Sequence, residues 1–165
     1  MKYVIITINV IIIMIGSVYL YKKSNEKEII KKVEIGELTS LYFSYSKGYM
    51  MNANIRYEFK FNNETNTYIA LIKPYLVNEE DNLLVEVDET FKNKLKEILI
   101  KYDVGKWDGF SKSDKDVLDG DSFSFTANFK DKTSIHTSGY MMWPENYYHV
   151  REELDTLFMN LYNEN

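Results

Sequence analysis

Three stretches of the chain alternate apolar and polar residues with a period of two. Leu41, Phe43 and Tyr45 alternate with Tyr42, Ser44 and Ser46, and Ile55, Tyr57, Phe59 and Phe61 with Asn54, Arg56, Glu58 and Lys60. Further on, Phe123, Phe125, Ala127 and Phe129 alternate with Ser124, Thr126 and Asn128. Side chains of a strand point to opposite faces in turn, so this pattern predicts strands with one face on a core and the other in water. The polar run Asn62 to Asn66 has turn chemistry and predicts a return strand over 67–73, ended by Pro74. Asp131-Lys132 supplies a second turn, with a return strand over 133–140.

Two other stretches carry a helical period. Phe91, Leu95, Ile98, Leu99 and Tyr102 fall on one helix face behind Asp88, a good N-cap residue. Tyr147, Val150, Leu154, Leu157, Phe158 and Leu161 form a second apolar stripe, with Pro144 suited to the first helical position. The order is hairpin, helix, long loop, hairpin, helix. It predicts an α+β domain: an antiparallel sheet of hairpins with two amphipathic helices on one face.

Ahead of this body, Tyr3 to Tyr21 carries no charge over about 19 residues, close to the ~20 that cross a bilayer core. An uncleaved transmembrane anchor over 1–23 is the expected reading. A secretory signal peptide is the rival, but the apolar run is long for one and no small-residue cleavage site follows. Residues 24–36 are charged, with Ile29, Ile30 and Val33 to one side, and read as a juxtamembrane helix or tether before a globular domain at 37–165. Two signals oppose one another on orientation. Lys22, Lys23, Lys27, Lys31 and Lys32 follow the span and favour a cytoplasmic body, whereas the short Met1-Lys2 flank resembles an export signal.

Composition narrows the function. With 45% hydrophobic and 15% aromatic residues the body can bury a core, and the net charge of −5 offers no basic surplus for a phosphate backbone, so nucleic acid is not an expected partner. There is no cysteine, which removes disulfides, thiolate metal sites, a cysteine nucleophile and a lipid-modified N-terminal Cys.

The long connection over 103–121 holds the candidate chemistry. Asp114, Asp116, Asp119 and Asp121 resemble an oxygen-ligand set for calcium. Their spacing departs from the EF-hand pattern, whose twelfth position is here Phe125 rather than Glu. No cofactor is expected beyond that weak calcium candidate. The competing reading is that Asp108-Gly109 and Asp119-Gly120 are turn formers and the other Asp residues cap backbone groups. A hydrolase using carboxylates of this loop is the enzymatic alternative, with no companion motif to support it. Trp107, Asp108, Phe110, Tyr140, Trp143 and Tyr147 form a candidate interaction patch for a protein, peptide or glycan, if their rings stay exposed. Otherwise Trp107 and Trp143 are core residues that pin the loop and the last helix.

Three motifs are similar to those of an uncharacterised domain family of Gram-positive bacteria. They are Lys106-Trp107-Asp108-Gly109-Phe110, Val117-Leu118-Asp119-Gly120-Asp121-Ser122-Phe123, and Ser138-Gly139-Tyr140-Met141-Met142-Trp143-Pro144-Glu145-Asn146-Tyr147. The resemblance spans about 38–162. It implies an exported, surface-tethered location, since such proteins carry lipoprotein-type or membrane-anchoring N-termini, and it implies no activity. Without a Cys, the anchor here has to be the apolar span, with residues 3–21 in the membrane. The resulting expectation is a single-pass membrane protein whose extracytoplasmic body is a non-enzymatic binding domain. A cytoplasmic-facing membrane accessory protein is a further alternative.

Overall fold

In the computed structural model the described residues are 32–46, 48, 54–74 and 82–164. The expected anchor over 3–21 and most of the tether lie outside them. Among the described residues no helix is long and apolar enough to cross a membrane.

The alternating stretches become β1 (Leu38–Ser46), β2 (Asn54–Asn62), β3 (Thr67–Lys73), β6 (Ser122–Phe129) and β7 (Ser134–Tyr140). Two shorter strands complete the sheet, β4 (Leu83–Val87) and β5 (Ser111–Ser113). The strand order is β4-β3-β2-β1-β6-β7-β5, and every pairing is antiparallel except β5 with β7. The α+β class, the largely antiparallel sheet and the two helices agree with the sequence pattern. Neither β4 nor β5 was expected. Five and three residues are too few to display a period, and β5 exists through its parallel pairing with β7 on the sheet edge.

The helices are α1 (Glu89–Lys101) and α2 (Tyr147–Glu164). Asp88 caps α1 as its chemistry predicts, its Oδ1 accepting the Phe91 amide at 2.9 Å. Pro144 does not open α2. Asn146 takes a left-handed φ of 62°, which breaks the helical path, so the helix starts at Tyr147 and its amide bonds the Pro144 carbonyl.

Both helices bury their apolar stripes on one face of the sheet. Leu41, Phe43 and Tyr45 of β1 are in register with Phe59, Tyr57 and Ile55 of β2, and on the other side with Ala127, Phe125 and Phe123 of β6. Tyr57 stacks on Phe158 with centroids 4.6 Å apart, and Phe91 meets Phe158 edge-on at 5.2 Å. Burying each large apolar side chain in such a layer contributes about 1.5–3 kcal/mol.

The long loop joins this core through Trp107, at the end of a 3-10 turn over Val104–Trp107. Its ring is 2% exposed and lies 5.5 Å from Phe125 and 6.2 Å from Tyr147. The indole N–H donates to the Glu145 carbonyl at 2.9 Å, tying the turn to the start of α2.

Residues 32–37 form no helix and pack on the body instead. Val33 is buried, and its amide donates to the Gly105 carbonyl at 3.0 Å. A Cβ on Gly105 would sit 2.0 Å from the Val33 carbonyl oxygen, so only glycine permits this approach. Lys32 adds an ion pair to Asp103 at 2.8 Å.

Trp107→Ala is expected to cost about 3–5 kcal/mol in a urea melt, the range for deleting a large core aromatic. A loss below about 1 kcal/mol would mean that the ring does not hold the loop to the core.

Candidate functional site

Committing one face of the sheet to the helices leaves the opposite face uncovered by any described element. The strand register sorts its outward residues into rows that cross the strands. One row runs Ser138, Ser124, Ser44, Arg56 and Lys73, one residue from each of β7, β6, β1, β2 and β3. On one side of it stand His136, Thr126 and Tyr42, in register with one another. On the other side are Tyr140, Ser122, Ser46 and Asn54. The Ser46 and Ser122 hydroxyls are 2.7 Å apart.

Because serine is short, its row forms a floor. One cavity of about 280 Å³ lies over Ser44, Ser124, Arg56 and Lys73, against Tyr42 and Asn54. A second of about 320 Å³ lies over Ser124 and Ser138, against His136, Thr126 and Phe110. Both share Ser124, so the two read as one trough across the strands. Four strand spacings of ~4.8 Å make it on the order of 19 Å long. Among the described residues lining either cavity there is no Asp or Glu, although the chain carries a net charge of −5. Arg56 Nε is buried without a hydrogen bond, 3.3 Å from the Glu58 carboxylate on the neighbouring row.

The acidic loop is built from turns and ties. Asp114 Oδ1 accepts the Asp116 amide at 3.0 Å, and Asp121 Oδ1 accepts the Gly48 amide at 3.2 Å. Asp108 Oδ1 accepts the backbone amide of His136 at 3.1 Å. Asp103 bridges Lys32 and Lys106, whose hydrogen bonds hold its carboxyl below the usual range. Asp119 is exposed. Among the described residues no group of three or more His, Asp or Glu side chains gathers to hold a metal ion.

The candidate interaction patch divides. Trp107 and Tyr147 are buried, so neither presents a ring to a partner. Trp143 is half-buried and stacks on Tyr147 at 4.6 Å. Phe110 lines the second cavity while its ring packs toward Phe123 of the core at 6.4 Å, and Tyr140 borders the serine rows. The Tyr140 hydroxyl also accepts the Gly120 amide at 2.7 Å and donates to the Val117 carbonyl at 3.2 Å, pinning the loop. The exposed apolar residues of this region are Leu118, Met141, Met142 and Tyr148.

Sequence reasoning took Ser44, Ser124 and Arg56 only as the polar half of alternating strands, and placed Lys73 and Ser138 within return strands without a face. A signal was present in the choice of residue. Strands favour β-branched and aromatic side chains, yet the outward positions of β1, β6 and β7 repeatedly hold serine.

On the covered face a half-buried polar cluster borders the core. Asp155 of α2 accepts hydrogen bonds from the Tyr45 hydroxyl at 2.8 Å and the Tyr57 hydroxyl at 3.0 Å. The Arg151 guanidinium lies over the Tyr45 and Tyr148 rings at 5.3 and 5.4 Å, its Nε 4.0 Å from Asp155. Burial pushes the Asp155 carboxyl above its ordinary value, outweighing the tyrosine hydrogen bonds and Arg151. Burial, then the Asp155 charge, raises both tyrosines.

A scan against known protein families finds no match for this chain, and no curated protein matches it.

The Asp155 shift predicts a pH dependence of stability. Its folded-state value exceeds the unfolded one, so the stability it contributes is full below the unfolded carboxylate value of ~3.9 and is lost as pH rises through the folded value. Asp155→Asn keeps an acceptor for both tyrosines and removes this slope. Urea midpoints of the variant and the parent should diverge in the variant's favour as pH rises from 3 to 7. Parallel profiles would show that the carboxyl titrates normally.

Proposed function

We propose that this chain is a membrane-tethered, extracytoplasmic and non-enzymatic binding domain that presents the open face of its sheet to a ligand. The observation that carries the reading is the trough: a hydroxyl-lined surface with Arg56 and Lys73 at one end and no carboxylate among the described residues lining it, on a face no described element covers. Binding sites use a rigid scaffold to hold polar groups in fixed directions, and a seven-stranded sheet backed by two helices supplies one. Its ligand is a glycan, a peptide or a protein segment.

Two arrangements favour binding over hydrolysis. Asp108 spends Oδ1 on the His136 backbone amide rather than on its ring, so the pair lacks the contact by which a carboxylate orients a catalytic imidazole. Asp114 and Asp121 are likewise engaged with backbone amides. The tether rests on the uncharged stretch over 3–21, and export on the short flank before it and the family resemblance.

The location is tested by adding protease to intact cells, which should remove the body and leave an N-terminal fragment in the membrane. Protection until lysis would reverse the orientation and favour the cytoplasmic accessory reading. The binding role makes a second prediction. Residues kept for a ligand hold up little of the fold, so Ser124→Val and Thr126→Val should each change stability by less than about 0.5 kcal/mol. A loss of 2 kcal/mol or more at either would make this face structural.

A further inference from the structure

We infer that β4 is the seam of a homodimer, pairing antiparallel with β4 of a second copy about a two-fold axis at Leu84. The inference concerns the edge of the sheet and is independent of what the trough binds.

β4 is the last strand in the sheet order, and among the described strands it pairs only with β3. A strand so placed directs backbone N–H and C=O groups outward along its free edge, where another strand can take them up. Proteins that keep an edge single blunt it with lysine, proline, a bulge or extreme shortness. The opposite edge of this sheet is blunted in that way, since β5 is three residues, Ser111-Lys112-Ser113. β4 has five residues, neither Lys nor Pro, and an unbroken register with β3 from Leu83 to Val87.

The side chains of β4 select the occupant. Leu83 and Val85 pair with Ile72 and Ala70 and stand half-buried on the helix-covered face. Leu84 and Glu86 stand on the open face, where Leu84 is 62% exposed beside Leu71 of β3. Two copies of β4 can meet in several registers. Centring the pair on Glu86 sets two carboxylates face to face, which is destabilising. Centring it on Val85 sets Leu84 against Glu86, and centring it on Leu83 sets Leu84 against Asn82.

Centring on Leu84 matches every pair. Leu84 meets its own counterpart, Leu83 meets Val85, and Glu86 meets Asn82, whose side-chain amide can donate to a carboxylate. Apolar then meets apolar on both faces, so the strand is complementary to itself, as an isologous interface requires. Paired residues of neighbouring strands point to the same face. The axis is therefore perpendicular to the sheet, two seven-stranded sheets join into one, and both open faces look the same way. Leu71, Leu84 and their counterparts form one apolar strip across the seam.

The test is sedimentation equilibrium of the full chain in density-matched neutral detergent, from about 1 to about 100 μM, where a small interface is half-formed. A reversible equilibrium between monomer and dimer is expected. Leu84→Lys sets two ammonium groups face to face on the axis and should weaken dimerisation at least tenfold. The thermal midpoint of the dilute protein should not change, because the side chain is exposed in the single chain. The chain has no cysteine, so single-cysteine variants report the register. Under mild oxidation Leu84→Cys should give a disulfide-linked dimer. Glu86→Cys should not, because its two copies lie four residues out of register, roughly 13 Å apart along the strand.

A chain that stays monomeric over the whole range would overturn the inference and leave the edge to a strand of another protein. A dimer unchanged in Leu84→Lys would place the interface elsewhere, the uncharged stretch over 3–21 included. Cross-linking at Glu86→Cys as fast as at Leu84→Cys, or none at Leu84→Cys in a protein that dimerises, would overturn the register.

Discussion

The fold depends on one tie: the indole of Trp107, buried between sheet and helix, with its N–H held by the Glu145 carbonyl. The ring packs against Phe123, Phe125 and Tyr147, so it joins β6 to the first turn of α2 from within a connection that has little regular structure of its own. Each such aromatic contact contributes about 0.5–1.5 kcal/mol beyond the area it buries. The connection is long because it must carry the chain from the end of α1 to the far side of the sheet. Along the way it lays β5 beside β7 and reaches Gly120, where Tyr140 holds it.

That tie determines what the opposite face is free to do. With helices, Trp107 and most of the aromatic strand residues on one side, no described element covers the outward positions. The serine row, with Arg56 and Lys73 at its end, lies on this open side. Asp155 makes the contrast. It sits on the covered side, where its two tyrosine partners satisfy it and its burial bears on stability.

Periodicity made the long elements legible. β1, β2, β6 and both helices were readable because half their positions are strongly apolar, and Asp88 announced α1 by its capping chemistry. β4 and β5 were not, since pairing with a neighbour defines strands that short. The loop was recognisable as ordered from Trp107, and Asp114 and Asp121 accept the backbone amides of Asp116 and Gly48. The trough could not be read in this way. It arises from register between strands far apart in the chain, with Ser44 meeting Ser124 and Ser124 meeting Ser138. Residues 32–36 were assigned to the tether because their charges mask a single buried Val33 whose partner, Gly105, is distant in sequence.

The seam at Val33 also has a mechanical meaning. A pull on the chain from the amino-terminal side first loads the Lys32–Asp103 ion pair and the Val33–Gly105 hydrogen bond. Beyond them the load enters β1, a central strand clamped along both edges by β2 and β6. Tension along β1 shears two ladders at once, so their hydrogen bonds share the force instead of opening one by one. A body held by its amino terminus is thus gripped through its best-supported strand, with the small seam at Val33 yielding first.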